Sequence, residues 1–393
     1  MRNRSVGLTL FGALAIIVAA CGGGATPSPA ASATPAASGS AAPSGSAGPS
    51  ESAAASLRPL KVGVVTDVGQ LEDKSFNEFS NAGAEAAAEE TGGEHDVIVT
   101  RNISDYGANI QSFIDQDYDV IVTIGFLIGT DTAIAAKENP DIFFVGVDQG
   151  VCVDENGDPD ATFACAGDAA TLLPNYHGIV FAEAQPGYLA GIIAASLSES
   201  GTIGAVGGTN VPAVVNYWRG YENGAASVND AIEVLYQETD PDPAKGFYDT
   251  AKGRAIGEQF IGQGADVLFQ IAGETGLGVL EAACNADIHA IGVDVDQAVS
   301  VPNAAACIVT SAEKKLLDTV QAVVLSVAQD TFKAGTNLYD AASTPPAIGI
   351  SDYHDKADLI TPEIQALVDE ALDAFTAGSL DPCSPKKCTV SGN

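Results

Sequence analysis

Positive charge is scarce in this chain. Seventeen lysines and arginines stand against 51 aspartates and glutamates in 393 residues, a formal net charge of −34. Contact with a phosphate backbone needs clustered Lys and Arg, so nucleic acid is excluded as a partner class. Solubility accounts for most of the acidic surplus. Histidine is also rare: the four present do not stand at metal-ligand spacing to one another, and the cysteine spacings do not resemble zinc sites, so no metal is expected. The sequence has no G-x-S-x-G elbow, no P-loop and no H-E-x-x-H pair, which leaves hydrolytic chemistry without a signature.

What is present suits a large α/β protein: 42 glycines, 46% hydrophobic residues and only 17% charged ones. Single cores stop growing at roughly 250–300 residues, so a chain of this length is expected to form two domains. The first 20 residues carry Arg2 and Arg4, an apolar run from Val6 to Ala20, and small residues before Cys21. That run is shorter than the ~20 residues a spanning helix needs, and the pattern is that of a secretory signal peptide. Val18-Ala19-Ala20-Cys21 resembles a bacterial lipobox, in which Cys21 is lipidated and becomes the mature N-terminus. Residues 21–58 are almost entirely Gly, Ala, Ser, Thr and Pro, a composition that cannot bury enough apolar surface to fold and serves as a tether. The expected location is therefore extracytoplasmic, anchored by lipid to the cell membrane. Six further cysteines enter an oxidising compartment, and proximity pairs Cys152 with Cys165 and Cys383 with Cys388, leaving Cys284 for Cys307.

From Leu60 onward short β-branched runs alternate with helical stretches: KVGVVTD (61–67), DVIVT (96–100), DVIVTIGF (119–126), DIFFVGVD (141–148), HGIVFA (177–182), TIGAVGG (202–208), IEVLYQE (232–238), ADVLFQIAG (265–273), HAIGVDVD (289–296) and ACIVTSA (306–312). Continuous apolar runs indicate strands buried on both faces, hence parallel sheets covered by helices. Ten such units are too many for one sheet, so two doubly wound α/β lobes follow. After the first run, Ser75 with Glu78 forms a capping-box pattern that opens a helix ending at Gly92-Gly93. Asp67 then sits at the carboxyl end of a strand, and Ser75, Phe76 and Asn77 at a helix N-terminus, on the edge where open α/β sheets bind ligands. Other strands end in similar residues: Gly125-Phe126, Asp148-Gln149, Gly207-Gly208, Ala272-Gly273-Glu274-Thr275-Gly276 and Asp294-Val295-Asp296-Gln297. Loops converging from two lobes predict a cleft between them. The calcium cluster of nucleoside hydrolases, D-x-D-x-x-x-D-D, fits poorly: Val65 stands in its leading position, and Glu72 and Asp73 come one place late.

TDVGQLEDKSFNEFSNAG (66–83), GYLAG (187–191), AGETGLGVLEAA (272–283), GVDVDQ (292–297) and VTSAEKK (309–315), in this order, closely resemble the BMP (basic membrane protein) family. Its members are lipid-anchored substrate-binding proteins of ABC importers, the best understood of which bind purine nucleosides. The resemblance covers Lys61 to Pro382. It implies the type I periplasmic-binding fold, two Rossmann-like lobes joined by three crossovers and closing on ligand by hinge motion. Expected boundaries are 59–180 plus 298–335 for the first lobe and 181–297 plus 336–393 for the second.

A purine offers a flat π surface with a donor and acceptor edge, and a ribose wants acceptors for its hydroxyls with a cation beside them. The resemblance then implies that Phe76 stacks on the base, with Ser75 or Asn77 at its edge, and that Asp148 accepts from base nitrogens. Asp67, Asp294 and Lys314 face the ribose, Lys314 being favoured over Lys315, and Gly125 and Gly273 belong to the same strand-end loops. Trp218 and Phe269 are candidates for a second stacking ring, although WRGYENG also reads as helix core. Two features depart from the family pattern: Glu274, where many relatives have A-G-G-T-G, and a cysteine-containing segment, 150–176, that looks like an insertion. The implied protein is a monomeric receptor without a cofactor that delivers a small polar solute, foremost a purine nucleoside, to an ABC permease. It is not expected to be an enzyme. The alternatives are a sensory receptor that presents its ligand to a membrane kinase, and a nucleoside hydrolase.

Overall fold

A computed structural model describes residues 57–389 of the chain. The signal peptide, Cys21 and nearly all of the tether lie outside the described residues. Each of the ten apolar runs overlaps a strand: β1 (Lys61–Val65), β2 (Glu94–Ile98), β3 (Val120–Ile124), β4 (Phe143–Val147), β5 (Tyr176–Phe181), β6 (Thr202–Gly207), β7 (Glu233–Glu238), β8 (Val267–Ile271), β9 (His289–Asp294) and β10 (Ile308–Lys314). Two more, β11 (Gly335–Tyr339) and β12 (Ile348–Ile350), follow.

The strands form two six-stranded sheets, ordered β2-β1-β3-β4-β5-β11 and β7-β6-β8-β9-β10-β12. All neighbours run parallel except β12, which is antiparallel to β10. Every residue of β3 and of β8 is buried, which is why these strands read as unbroken apolar runs. Burying each Val or Ile side chain of this kind stabilises the fold by ~1.5–3 kcal/mol. In both sheets the strand order reverses beside the first strand, between β1 and β3 and between β6 and β8, which fixes where a ligand crevice opens.

The chain passes between the sheets three times. It leaves the first after β5 through Ala182 and Glu183, returns after β10 at Lys315, and leaves again between β11 and β12. The crossings are hydrogen-bonded: Ala182 N–H donates to the Tyr339 carbonyl (2.9 Å) and Lys315 N–H to the Ala347 carbonyl (2.9 Å). The expected lobe boundaries need correction here. A break at 298 assigns β10 to the first lobe, but its pairing with β9 and β12 puts it in the second sheet, and β11 belongs to the first sheet beside β5. The return crossing leaves no linker signature because β10 runs through Lys314 and Lys315 straight into the helix Leu316–Ala328.

The GYLAG segment is explained by packing. Gly187 and Gly191, on the helix Ala184–Leu197, lie against the carbonyls of Tyr217 and Tyr221, and Gly220 and Gly224 of the helix Pro212–Val228 lie against those of Ala184 and Tyr188. A β-carbon at any of the four would overlap the facing backbone, so only glycine allows this approach. Disulfides join Cys152 to Cys165, Cys284 to Cys307 and Cys383 to Cys388, the pairs that proximity suggests. The last closes a loop held by Asn223, whose Nδ2 donates to the carbonyls of Pro382 (2.7 Å) and Lys386 (2.9 Å).

Candidate functional site

Loops from the carboxyl ends of both sheets surround one cavity, at the edge where open α/β sheets bind ligands. The first sheet supplies Asp67, Gln70, Asp73, Phe76 and Asn77 after β1, Gly125 and Phe126 after β3, and Asp148 after β4. The second supplies Tyr217 from the helix after β6, Phe247 after β7, Gly273 after β8, Asp294 at the end of β9 and Lys314 at the end of β10.

Lys314 is the electrostatic centre. Its ammonium lies 2.6 Å from Asp148 Oδ2 and 3.3 Å from Asp294 Oδ1, with the Lys314 side chain only 2% exposed. Burial opposes the charge, but Asp148, Asp294 and Glu183 more than offset it and hold the ammonium above the usual lysine range. The two aspartates occupy equivalent places, at the ends of β4 and β9, and both have left-handed backbones (φ 55° and 66°). Such conformations cost of order 1–3 kcal/mol each in a non-glycine residue and cluster at functional sites. Lys314 also sits over the Phe76 ring, 4.8 Å from its centroid, a cation–π contact that fixes both groups.

Asp67 is held by the Tyr106 hydroxyl (2.5 Å) and the Val68 N–H (2.7 Å), both donating to Oδ1. A β-carbon at Gly125 would overlap this carboxylate, so glycine there makes room for it, at a φ of 99°. Burial pushes the Asp67 carboxyl up to about 6, against the pull of the Tyr106 hydroxyl and the Val68 amide. Among the buried acceptors without a partner in the described residues, two, Asp148 Oδ1 and Asn77 Oδ1, belong to residues that line the cavity. Buried polar atoms are nearly always satisfied, so these two acceptors are left over by the fold itself.

Of the nine residues expected at the site, the structure brings Asp67, Phe76, Asn77, Gly125, Asp148, Gly273, Asp294 and Lys314 to this one cavity. Ser75 is the exception. Its hydroxyl is spent on Asp294 Oδ2 (2.9 Å) and it does not line the cavity. Nor does it cap its helix: Asp73 accepts from the N–H groups of Ser75, Asn77 and Glu78 in its place. Lys315 points elsewhere, pairing with Glu313 at 2.5 Å. Neither candidate second ring lines the cavity. Trp218 stacks on Tyr236 with centroids 4.1 Å apart, and Phe269 packs in the core against Tyr217 and Tyr221. The rings that do line it besides Phe76 are Phe126, Tyr217 and Phe247.

Glu274 is absent from the lining, one residue beyond Gly273; its Oε2 is buried without a partner among the described residues, and burial raises its carboxyl. The disulfide segment after β4 shelters a separate hollow that shares Phe126 and Leu127 with the cavity. Glu183 was not anticipated at all. It lies buried in the first crossing, its Oε2 accepting from Asn216 Nδ2 at 3.2 Å, and burial together with the Asp148 charge pushes it up to about 8.

The model of the Bmp family, described as "ABC transporter substrate-binding protein PnrA-like", matches residues 60–355. Over 250 residues, 61% of this chain, the sequence is 33% identical to the ABC transporter nucleoside-binding protein BmpA of Lactococcus lactis subsp. cremoris, covering 64% of that protein. It is 29% identical over 254 residues, 63% of this chain, to basic membrane protein B of Borreliella burgdorferi, covering 68% of it. The chain thus spans about two thirds of the length of these relatives. Among solved structures, an ABC transporter solute-binding protein from Aeropyrum pernix K1 superposes with a TM-score of 0.69 at 23% identity, covering 82% of this chain and 93% of that one. A second, from Conexibacter woesei, gives 0.61 at 25% identity, covering 82% and 98%. These likenesses show the type I fold of periplasmic solute-binding proteins. With the family match over three quarters of its length and the two-sheet architecture, the chain belongs to the Bmp family of ABC transporter substrate-binding proteins.

Proposed function

We propose that this protein captures a purine nucleoside between its two lobes and delivers it to an ABC permease. The observation that carries the reading is the pairing, in one cavity, of aromatic rings with two unpartnered buried acceptors and a lysine flanked by acids. Phe76 and Phe247 would hold the faces of the base, and Asn77 Oδ1 and Asp148 Oδ1 would accept from its N–H edge. Asp67 and Asp294 would accept from the ribose hydroxyls, with the Lys314 ammonium donating beside them. The Lactococcus relative is named for nucleoside binding, which supports the same ligand class here.

In this reading ligand contacts from both sheets favour the closed arrangement, and the binding energy shifts an open–closed equilibrium of the lobes. Lipidated Cys21 and the tether would keep the protein outside the cytoplasm and beside its permease; among the described residues no helix is long and apolar enough to cross a membrane. Mass spectrometry of small molecules released on denaturing the purified protein tests the assignment. A purine nucleoside near one per chain is expected, and a sugar or amino acid at that stoichiometry would overturn it.

A further inference from the structure

The segment Asp73-Lys74-Ser75 does something that its sequence conceals. Ser75 with Glu78 three residues on has the form of a capping box, which would spend the serine hydroxyl on its own helix. Asp73 has taken that role: its Oδ1 accepts from Ser75 N–H (3.0 Å) and Glu78 N–H (3.2 Å), and its Oδ2 from Asn77 N–H (2.9 Å). Glu78 reaches back to Lys74 N–H (3.0 Å). With the first helical turn satisfied, the Ser75 hydroxyl is free, and it donates to Asp294 Oδ2 at 2.9 Å, 219 residues away on the other lobe.

A second bond crosses at the same place in the opposite sense. Ser300 Oγ, from the short helix after β9, donates to the Lys74 carbonyl at 2.9 Å. Lys74 itself has a left-handed backbone, φ 61°, a conformation that a lysine keeps only when its surroundings hold it. Ser75 is fully buried in this arrangement. Asp294 is thereby held from both sides, by Ser75 of the first lobe on Oδ2 and by Lys314 on Oδ1.

We propose that Ser75 is a positioning residue and interlobe latch: with Ser300 it holds the lobes shut, and it completes the orientation of the Asp294 carboxylate only when they are shut. Parting the lobes removes the Ser75 donor from Oδ2 and leaves Asp294 to Lys314 and to the Tyr217 hydroxyl, both on Oδ1. Ligand retention and closure are then coupled through one carboxylate. The role assigned to ligand retention rests on the nucleoside reading of the cavity; the latch itself does not.

Two measurements separate these. With inosine as probe, Ser75→Ala should dissociate about tenfold faster or more, the scale of one lost hydrogen bond to a charged group. Its association rate and ligand-free melting temperature should match those of the wild type, and Ser75→Thr should restore slow dissociation. Dissociation unchanged in Ser75→Ala, whether or not the melting temperature falls, would reduce Ser75 to a fold residue and overturn the proposal. Independently of any ligand, the pair Ser75→Cys and Asp294→Cys should close to a disulfide under mild oxidation, read by mass spectrometry of the linked peptides. No cross-link would equally overturn the latch. A cross-link in a protein whose wild type does not bind inosine would leave the latch standing and remove the nucleoside reading.

Discussion

Replacing Lys314 with methionine keeps most of the side-chain volume and removes the cation between Asp148 and Asp294. Both carboxylates are buried, at 8% and 9% side-chain exposure, so neither gains hydration in compensation. Breaking a buried pair by removing one partner costs ~3–5 kcal/mol. At ~2–4 °C per kcal/mol for larger domains, this lowers the melting temperature by roughly 6–20 °C. The loss has a definite pH dependence. Without the ammonium, Asp148 and the already raised Glu183 lose the cation that pulls them down, and their carboxyls move up. A carboxyl raised by folding favours the fold below the unfolded carboxylate range, and that contribution is lost as pH climbs through the folded value. The variant therefore recovers toward the wild type between pH 8 and pH 5, because Lys314 in the wild type stays cationic throughout. Scanning calorimetry of the ligand-free proteins at both pH values is the assay. An equal deficit at pH 8 and pH 5, or none at pH 8, would refute the picture of a lysine neutralising buried acids.

Other consequences concern the ligand. Phe247→Ala should weaken inosine binding by about 1–3 kcal/mol, the scale of one lost base-stacking contact, with the ligand-free melting temperature little changed; full retention of affinity would remove Phe247 from the base site. Asp67, raised to about 6, accepts a hydroxyl more strongly when ionised, because the bond is then charge-assisted. Affinity should therefore fall as pH drops below about 6 and be flat above 7 in isothermal titrations. Tyr106→Phe removes the hydroxyl that pulls Asp67 down, and should move this acid limb to higher pH; a limb that stays in place would show that Asp67 does not govern it.

The sequence made the sheets legible because their strands are buried on both faces, so ten apolar runs stood out without alternation. β11 escaped because it is an edge strand in which buried and exposed residues alternate, Gly335 to Tyr339, and β12 because it has only three residues. The site residues that could be named lie where strands end in acids or glycines, as at Asp67, Gly125, Asp148, Gly273 and Asp294. Phe247 carried no such mark: it sits in the loop after β7 among prolines, acids and glycine, and only tertiary folding brings it beside Gly273. Ser75 was assigned to the ligand because local pattern cannot tell that Asp73 would cap the helix and release the hydroxyl to another lobe. Glu183 was invisible for a similar reason, since its burial arises where three chain crossings meet.

Calorimetric titration tests most directly whether the cavity around Lys314 takes a purine nucleoside. The protein would first be stripped of retained ligand by unfolding and refolding, then titrated with inosine at pH 7.5. One saturable site per chain with a Kd on the order of micromolar or tighter is predicted. A refolded protein that gives no saturable heat with inosine, guanosine or adenosine up to about millimolar concentration would contradict it.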